Sequence, residues 1–194
     1  LQQGSVVVEP WCERLLDLSF HYDLREKLEF RGICRFLVEE DGRFRGALPG
    51  RWQEQLEPNL RRFLQGEGKD PRRMRRIADA VGAIVGPPLQ RVGYRGPVGV
   101  DAFVYQEQGR IFLQPLLEVN PRWTMGRVAL AMAPFLHPST RPRWILHNRR
   151  EIPDFQEWAA AQPPLQLKNG LWQEGVLCTN DPATAHHLLG VLYL

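Results

Sequence analysis

The chain has 194 residues, of which 43% are hydrophobic, and a net charge of +3. That length suits one domain with an appendage burying roughly 70% of its unfolded surface, and that composition excludes disorder throughout. Cys12, Cys34 and Cys178 are odd in number and far apart, which excludes a disulfide framework or zinc knuckle and fits free thiols in a reducing, cytoplasmic setting. No run approaches the ~20 apolar residues of a membrane span, so no membrane partner is expected, and nothing at the N-terminus reads as a signal peptide. The chain opens at Leu1 without an initiator methionine and almost directly in a strand, which gives the expectation of a piece of a longer protein.

Val6, Val7 and Val8 form a short apolar run suited to a buried strand. Glu9-Pro10-Trp11-Cys12 ends it, because proline donates no ladder hydrogen bond and restricts its predecessor. A second strand is expected over Leu16 to Leu24. Between Lys27 and Gly50 the pattern alternates as two antiparallel strands around Asp41-Gly42, a strong hairpin dipeptide. Arg31, Arg35, Arg43 and Arg45 stand at even spacing along it and are expected to share faces. They serve either as contacts to phosphate or an acidic substrate, or as a wet face among Glu39, Glu40 and Asp41.

Two helices follow. The first is expected from Gln53 to Leu64, stopping at Gln65-Gly66-Glu67-Gly68, and the second starts with Asp70 as N-cap and Pro71 in the first helical position. Met74, Ile77, Ala78, Val81 and Ile84 or Val85 make its apolar stripe. Arg72, Arg73, Arg75 and Arg76 crowd its start, where positive charge opposes the helix dipole. They offer either a surface for an acidic partner or a solvated face; with no aromatic platform or binding module nearby, nucleic acid is not the expected partner. Pro87-Pro88 is expected to close the helix, and Gln90 to Pro97 to form a loop without Walker spacing.

The stretch from Pro97 to Arg127 reads as a β-hairpin running into a helix. VGVDAFVY and RIFLQPLLEVN are rich in β-branched and aromatic residues, and Gln106 to Gly109 carry the turn. A two-residue turn at Gln108-Gly109 sets Asp101 opposite Leu116 and Glu118 opposite Gly99. Period two then places Asp101, Glu118 and Asn120 on one face. Two carboxylates and an amide oxygen gathered there match the hard-oxygen preference of Mg²⁺, with phosphate and water completing its shell. The alternative is a half-buried hairpin with a wet polar face, on which Asn120 only caps a helix begun by Pro121. A helix from Thr124 to Phe135 carries Val128, Leu130, Ala131 and Phe135, with Arg127 near its start.

In the last third, RPRWILHN and GLWQEGVLCTND read as strands, Asp154 to Ala161 as a helix capped by Asp154, Asp181 to His187 as a helix, and Val191 to Leu194 as a closing strand. His137, His147, His186 and His187 lack metal-ligand spacing.

An acidic residue on one strand followed by Glu-x-Asn-x-Arg on its hairpin partner, here Asp101 and then Glu118-Val119-Asn120-Pro121-Arg122, resembles the magnesium-binding end of the ATP-grasp superfamily. The wording EVNPRWTMGRVAL is closest to that superfamily's carboxylate-amine ligases. The resemblance covers Val6 to about His137. It implies an α+β fold, mainly an antiparallel sheet with flanking helices and incomplete at the N-terminus. Residues 1–137 would be the C-terminal half of the family domain, and 138–194 an α/β appendage packed on it.

It further implies ATP, and one or two Mg²⁺ (or Mn²⁺) ions held by Asp101, Glu118 and Asn120, with Glu118 bridging. By the same likeness VVVEPW is the adenine hinge, where Glu9, Trp11 and Cys12 line the base slot and Asp17 holds the ribose hydroxyls. Arg122, assisted by Arg127, would steady the transferred phosphate or the substrate carboxylate. The implied reaction joins a small-molecule carboxylate to an amine through an acyl phosphate.

Family members also carry upstream strands with two phosphate-contacting lysines and a Gly-rich loop. Charge-assisted hydrogen bonds are worth about 1.5–3 kcal/mol each, so lacking two costs about a hundred- to ten-thousand-fold in affinity. The expectation is a chain that is inactive alone and needs the upstream segment of its parent; a homodimer is compatible with it. The competing reading is a non-catalytic ATP-grasp-like module that docks or regulates through the Arg72 to Arg76 cluster.

Overall fold

In β1 (Glu13–Leu24), Leu18, Phe20, Tyr22 and Leu24 alternate with Asp17, Ser19, His21 and Asp23, and both sets are largely covered. Period-two geometry sends the first set to one face of the sheet and the second to the other. The computed structural model describes residues 8, 10–66 and 70–194. After β1 come β2 (Leu28–Val38), β3 (Phe44–Leu48), α1 (Pro58–Gln65), α2 (Arg73–Arg91), β4 (Gly96–Glu107), β5 (Arg110–Asn120) and α3 (Met125–Met132). The remainder is β6 (Arg143–Asn148), α4 (Phe155–Ala160), β7 (Gln166–Lys168), β8 (Leu171–Glu174), β9 (Val176–Cys178) and β10 (Leu188–Tyr193).

The fold is α+β. Its main sheet has eight antiparallel strands in the order β5-β4-β1-β2-β3-β6-β10-β9, and β7 pairs with β8 apart from it. Residues 138–194 supply β6, β9 and β10, so they extend the same sheet that the first 137 residues begin.

On the back face, Leu18, Phe20, Tyr22, Val98, Val100 and Val104 pack against α1 and α2 through Leu64, Met74, Ala78, Val81 and Val85. Each such side chain contributes about 1.5–3 kcal/mol when fully buried. The Tyr22 hydroxyl donates to the Ala78 carbonyl at 2.6 Å, which lets a polar tip end in this core. On the front face α3 packs Ala129 and Met132 against Cys34, Ala47, Trp144 and Leu192. A third cluster, Phe155, Leu189 and Val191 among it, sits under α4. Among the described residues no helix is long and apolar enough to cross a membrane.

Several expected boundaries move, each for a physical reason. Helix α1 starts at Pro58 and not at Gln53, because Gln55 adopts φ 57°, a left-handed conformation no helix can pass through. It ends at Gln65, one residue past the expected Leu64, with Gly66 as C-cap, while Glu67 and Gly68 lie outside the described residues. Asp70 and Pro71 precede α2, whose N-cap is Arg72; the Asp70 carboxylate accepts the Arg72 amide at 2.9 Å.

Helix α2 does not close at Pro87-Pro88 but runs through both to Arg91. The prolines remove backbone donors, yet Val85 and Gly86 are buried, and the bare Gly82 and Gly86 let the side chains of Tyr22 and Leu28 lie close, so packing outweighs the break. Of the two candidate stripe positions Val85 is buried and Ile84 is 67% exposed. The arginine cluster is largely tied down: Arg75 pairs with Asp79, Arg76 with Asp70, and Arg73 donates to the Phe63 carbonyl.

The hairpin arginines do not share a face. The β1–β2 register shifts at His21/Tyr22, where Gly32 and Phe30 are the paired residues and Arg31 is the extra one. Parity flips there. Arg31 turns to the front, holding Asp23 at 2.6 Å, whereas Arg35 lies on the back face, donating to the Glu54 carbonyl. Arg45 pairs with Glu39 and Glu151, and Arg43 with Asp41.

The run from Gly170 to Asp181 is two strands, β8 and β9, broken at Gly175 with φ 106°. Asp181 to His187 makes turns in place of a helix, with the Asp181 carboxylate accepting the Ala183 amide and the Thr184 hydroxyl. The Asp154 cap is present, accepting from the amides of Gln156 and Glu157.

Candidate functional site

The β4–β5 turn has Gln108 at φ 50° and Gly109 at φ 76°, the pair of left-handed residues a type I′ turn requires. From this turn Glu107 faces Arg110 and Phe103 faces Gln114, the register the turn dictates. An irregularity between Asp101 and Phe103 then inserts two residues into β5, so Asp101 faces Glu118 in place of Leu116, and Gly99 faces Asn120 in place of Glu118. A slip of two preserves parity, and Asp101, Glu118 and Asn120 stay on one face.

They open onto a cavity of about 320 Å³ on the front of the sheet. Ser19, Arg122 and Thr124 join them on the polar wall, Phe36, Val38 and Phe44 form an apolar wall, and Gly42 of the β2–β3 turn stands at the rim. Asn120, 7% exposed, is the keystone of the polar wall. Its Nδ2 donates to Asp101 Oδ2 at 3.1 Å, and its Oδ1 accepts from the Arg122 guanidinium at 3.1 Å. Asn120 caps no helix: α3 begins at Met125 with Thr124 as N-cap, whose Oγ1 accepts the Arg127 amide at 3.4 Å. The face α3 buries is Gly126, Ala129 and Met132, while Val128 and Phe135 are exposed.

Burial pushes the Asp101 carboxyl up to about 6; repulsion from Glu118 and Asp17 adds to this, and Arg122 and the Asn120 amide oppose it. Asp17, 8% exposed, is also raised by burial despite its ion pair with Arg14 at 3.1 Å. The cavity thus concentrates negative charge where ionisation is costly, the condition a cation relieves. Among the described residues no three His, Cys, Asp or Glu side chains converge as a metal cluster. The donor set is two carboxylates and one amide oxygen that keeps a second lone pair beyond its bond to Arg122. That set fits Mg²⁺ or Mn²⁺, which prefer a few hard oxygens with positions left for phosphate and water, and lacks the nitrogen and sulfur ligands zinc favours.

The other expected site residues are placed unequally. Glu9 lies outside the described residues, as do Val6 and Val7, and Val8 is exposed and in no strand. Trp11 is 79% exposed, its ring reaching within 3.9 Å of where a Cβ on Gly42 would stand, which puts it at the cavity rim. The Arg14 guanidinium lies over both Trp11 and Phe103, linking that ring to Asp17 on the same face. Cys12 points its thiol back to the Pro10 carbonyl at 3.7 Å. Arg127 is not on the cavity wall: its guanidinium pairs with Asp23 at 3.1 Å and lies over the Trp123 ring.

Sequence reasoning missed Ser19, His21 and Thr124. The signal was present in DLSFHYD, where strict alternation puts a polar residue at every second position of the expected strand.

Fold and site together define an α+β protein with a carboxylate, amide and guanidinium cavity on one face of an antiparallel sheet. No family model matches this chain, and no curated protein matches its sequence significantly.

Proposed function

We propose that this chain carries the ATP- and Mg²⁺-binding site of an ATP-dependent ligase that joins a carboxylate to an amine through an acyl phosphate. The observation that supports this reading is the convergence of Asp101, Glu118, Asn120 and Arg122 on one cavity. Bound Mg²⁺ supplies neutralisation of charge on the β- and γ-phosphate oxygens during transfer. Asp101 and Glu118 provide the charge that holds it, and Asn120 provides a neutral oxygen. Arg122 offers a guanidinium fork to the transferred phosphoryl or to the substrate carboxylate. The apolar wall keeps water from one side and strengthens these interactions.

The substrate carboxylate oxygen attacks the γ-phosphorus as the bond to the β–γ bridging oxygen breaks, releasing ADP. The amine nitrogen then adds to the acyl carbon, and phosphate leaves with the proton that the nitrogen loses. Positioning and electrostatics carry both steps, so no side-chain nucleophile is needed. The base and ribose of the nucleotide lie toward Trp11 and Asp17. Docking of an acidic partner through Arg72 to Arg76 has less support, since Arg75 and Arg76 already hold Asp79 and Asp70.

Calorimetric titration of Mg²⁺ with a non-hydrolysable ATP analogue into the chain and into the Glu118→Ala, Asn120→Ala double variant tests the proposal. Binding that disappears in the variant is expected. Measurable heats that are equal in the two proteins, or no heat even from a longer polypeptide that includes the upstream segment, overturn it.

A further inference from the structure

Ser19 sits directly across the β1–β4 ladder from Asp101 and lines the same cavity as Asp101, Glu118 and Asn120. Facing residues of adjacent strands bring their Cβ atoms within about 5 Å, so its hydroxyl belongs to the neighbourhood of the carboxylates. Ser19 is 3% exposed and His21, the next residue on that face, 2%. Ser19 Oγ is 2.7 Å from His21 Nε2, and His21 Nδ1 is 3.5 Å from Thr124 Oγ1.

The first turn of α3 closes this pair from above. A Cβ on Gly126 would stand 2.6 Å from His21 Nε2 and 3.0 Å from Ser19 Oγ, and one on Gly99 would stand 2.8 Å from Thr124 Cγ2. Only glycine at both positions lets the helix backbone lie this close. A hydroxyl and an imidazole sealed so tightly are costly to bury unless their bonds are specified.

We propose, resting on the reading of the cavity as a cation site, that Ser19 Oγ is a further oxygen ligand of that cation and that His21 is its positioning residue. For Ser19 to turn a lone pair to the cavity, its proton points away from it, and Nε2 of His21 is the acceptor in reach. His21 then carries its own proton on Nδ1 and donates it to Thr124 Oγ1. Of the two carboxylates on this face of β1, Asp17 is engaged by Arg14 and Asp23 by Arg31 and Arg127, and neither reclaims the imidazole. The cation's protein shell becomes two carboxylates and two neutral oxygens.

The test is direct metal titration, Mn²⁺ alone by electron paramagnetic resonance and Cd²⁺ alone by calorimetry, on the wild type, Ser19→Cys, His21→Leu, His21→Gln and Asp101→Asn. A soft sulfur in the shell is expected to shift the Cd²⁺ to Mn²⁺ preference of Ser19→Cys by about tenfold or more. Removing the acceptor in His21→Leu is expected to weaken Mn²⁺ about 10- to 100-fold, the range for groups that orient a ligand, while His21→Gln, which keeps an acceptor near the Nε2 position, restores most of it. Unchanged metal preference in Ser19→Cys, with Mn²⁺ binding lost in Asp101→Asn, overturns the role of Ser19 and leaves the cation site standing. A wild type that takes up no Mn²⁺ overturns both. Ser19→Cys is close to isosteric, so its metal preference is read on folded protein.

Discussion

The two faces of β1 are made by neighbouring residues of one strand and do opposite work. Leu18, Phe20, Tyr22 and Leu24 enter a core whose stabilisation is proportional to apolar area and indifferent to pH. Asp17, Ser19 and His21, nearly as buried, face a polar wall that gains little from burial and depends on hydrogen bonds and charge. Along β1, stability is concentrated on the back face, and the front carries groups held in states they would not choose in water. Perturbed titratable groups gathered at a cavity are the pattern expected of a functional site.

The largest expected effect breaks the apolar side. Phe20 is fully buried, and Phe20→Ala should cost about 3–5 kcal/mol in urea unfolding, with the same loss at pH 5 and pH 8. A pH-dependent loss would mean the two faces are coupled through the strand.

The next effect belongs to the polar side. Burial, and then the Arg127 charge, lower the His21 pKa from 6.5 to about 4. A depressed pKa means stability that is complete above pH 6.5 and lost as pH falls from there toward 4, because the unfolded chain takes up the proton first. The loss is about 3 kcal/mol at its limit. His21→Gln should remove this descent, and unfolding free energies measured every half unit between pH 7 and pH 4 would reveal it. Identical slopes in the two proteins would place the titrating group elsewhere.

The smallest effect runs the other way. The Asp101 carboxyl is raised from 3.8 to about 6, first by burial and then by Glu118. Its contribution to stability is therefore complete below pH 3.8 and lost as pH rises through about 6. Without a cation at pH 7.5 the ionised group is a net burden, and Asp101→Asn should stabilise the protein by about 1–2 kcal/mol after allowance for solvent screening. Thermal melts in chelator at pH 7.5 and pH 3.5 check this: a gain only at the higher pH is expected, and a loss there would show that the carboxylate is already compensated inside the protein.

Much of the architecture was legible because it depends on local chemistry. Asp41-Gly42 and Gln108-Gly109 announce their turns, alternation marks the strands, and Asp154 announces its helix. The common face of Asp101, Glu118 and Asn120 was equally legible, since parity along a strand survives any even slip. Their partners were not: the two residues inserted into β5 moved Glu118 opposite Asp101, and the irregularity at Arg31 sent the hairpin arginines to different faces. Irregularities of this kind answer to the twist and packing of neighbouring strands, which no local pattern records. The prolines inside α2 illustrate the same limit, because the burial of Val85 and Gly86 that outweighs them is contributed by distant residues.

By itself, then, the order of residues determined the turns, the alternating faces and the chemical types gathered on the β4–β5 hairpin. Tertiary structure alone decided that β1 lies beside that hairpin and sets Ser19 opposite Asp101, and that bare glycine in α3 seals His21 beneath a helix. The physical reason is one of range. Propensity and parity act over a few residues, whereas strand order, register shifts and close approach are settled by which surfaces of the whole chain pack together.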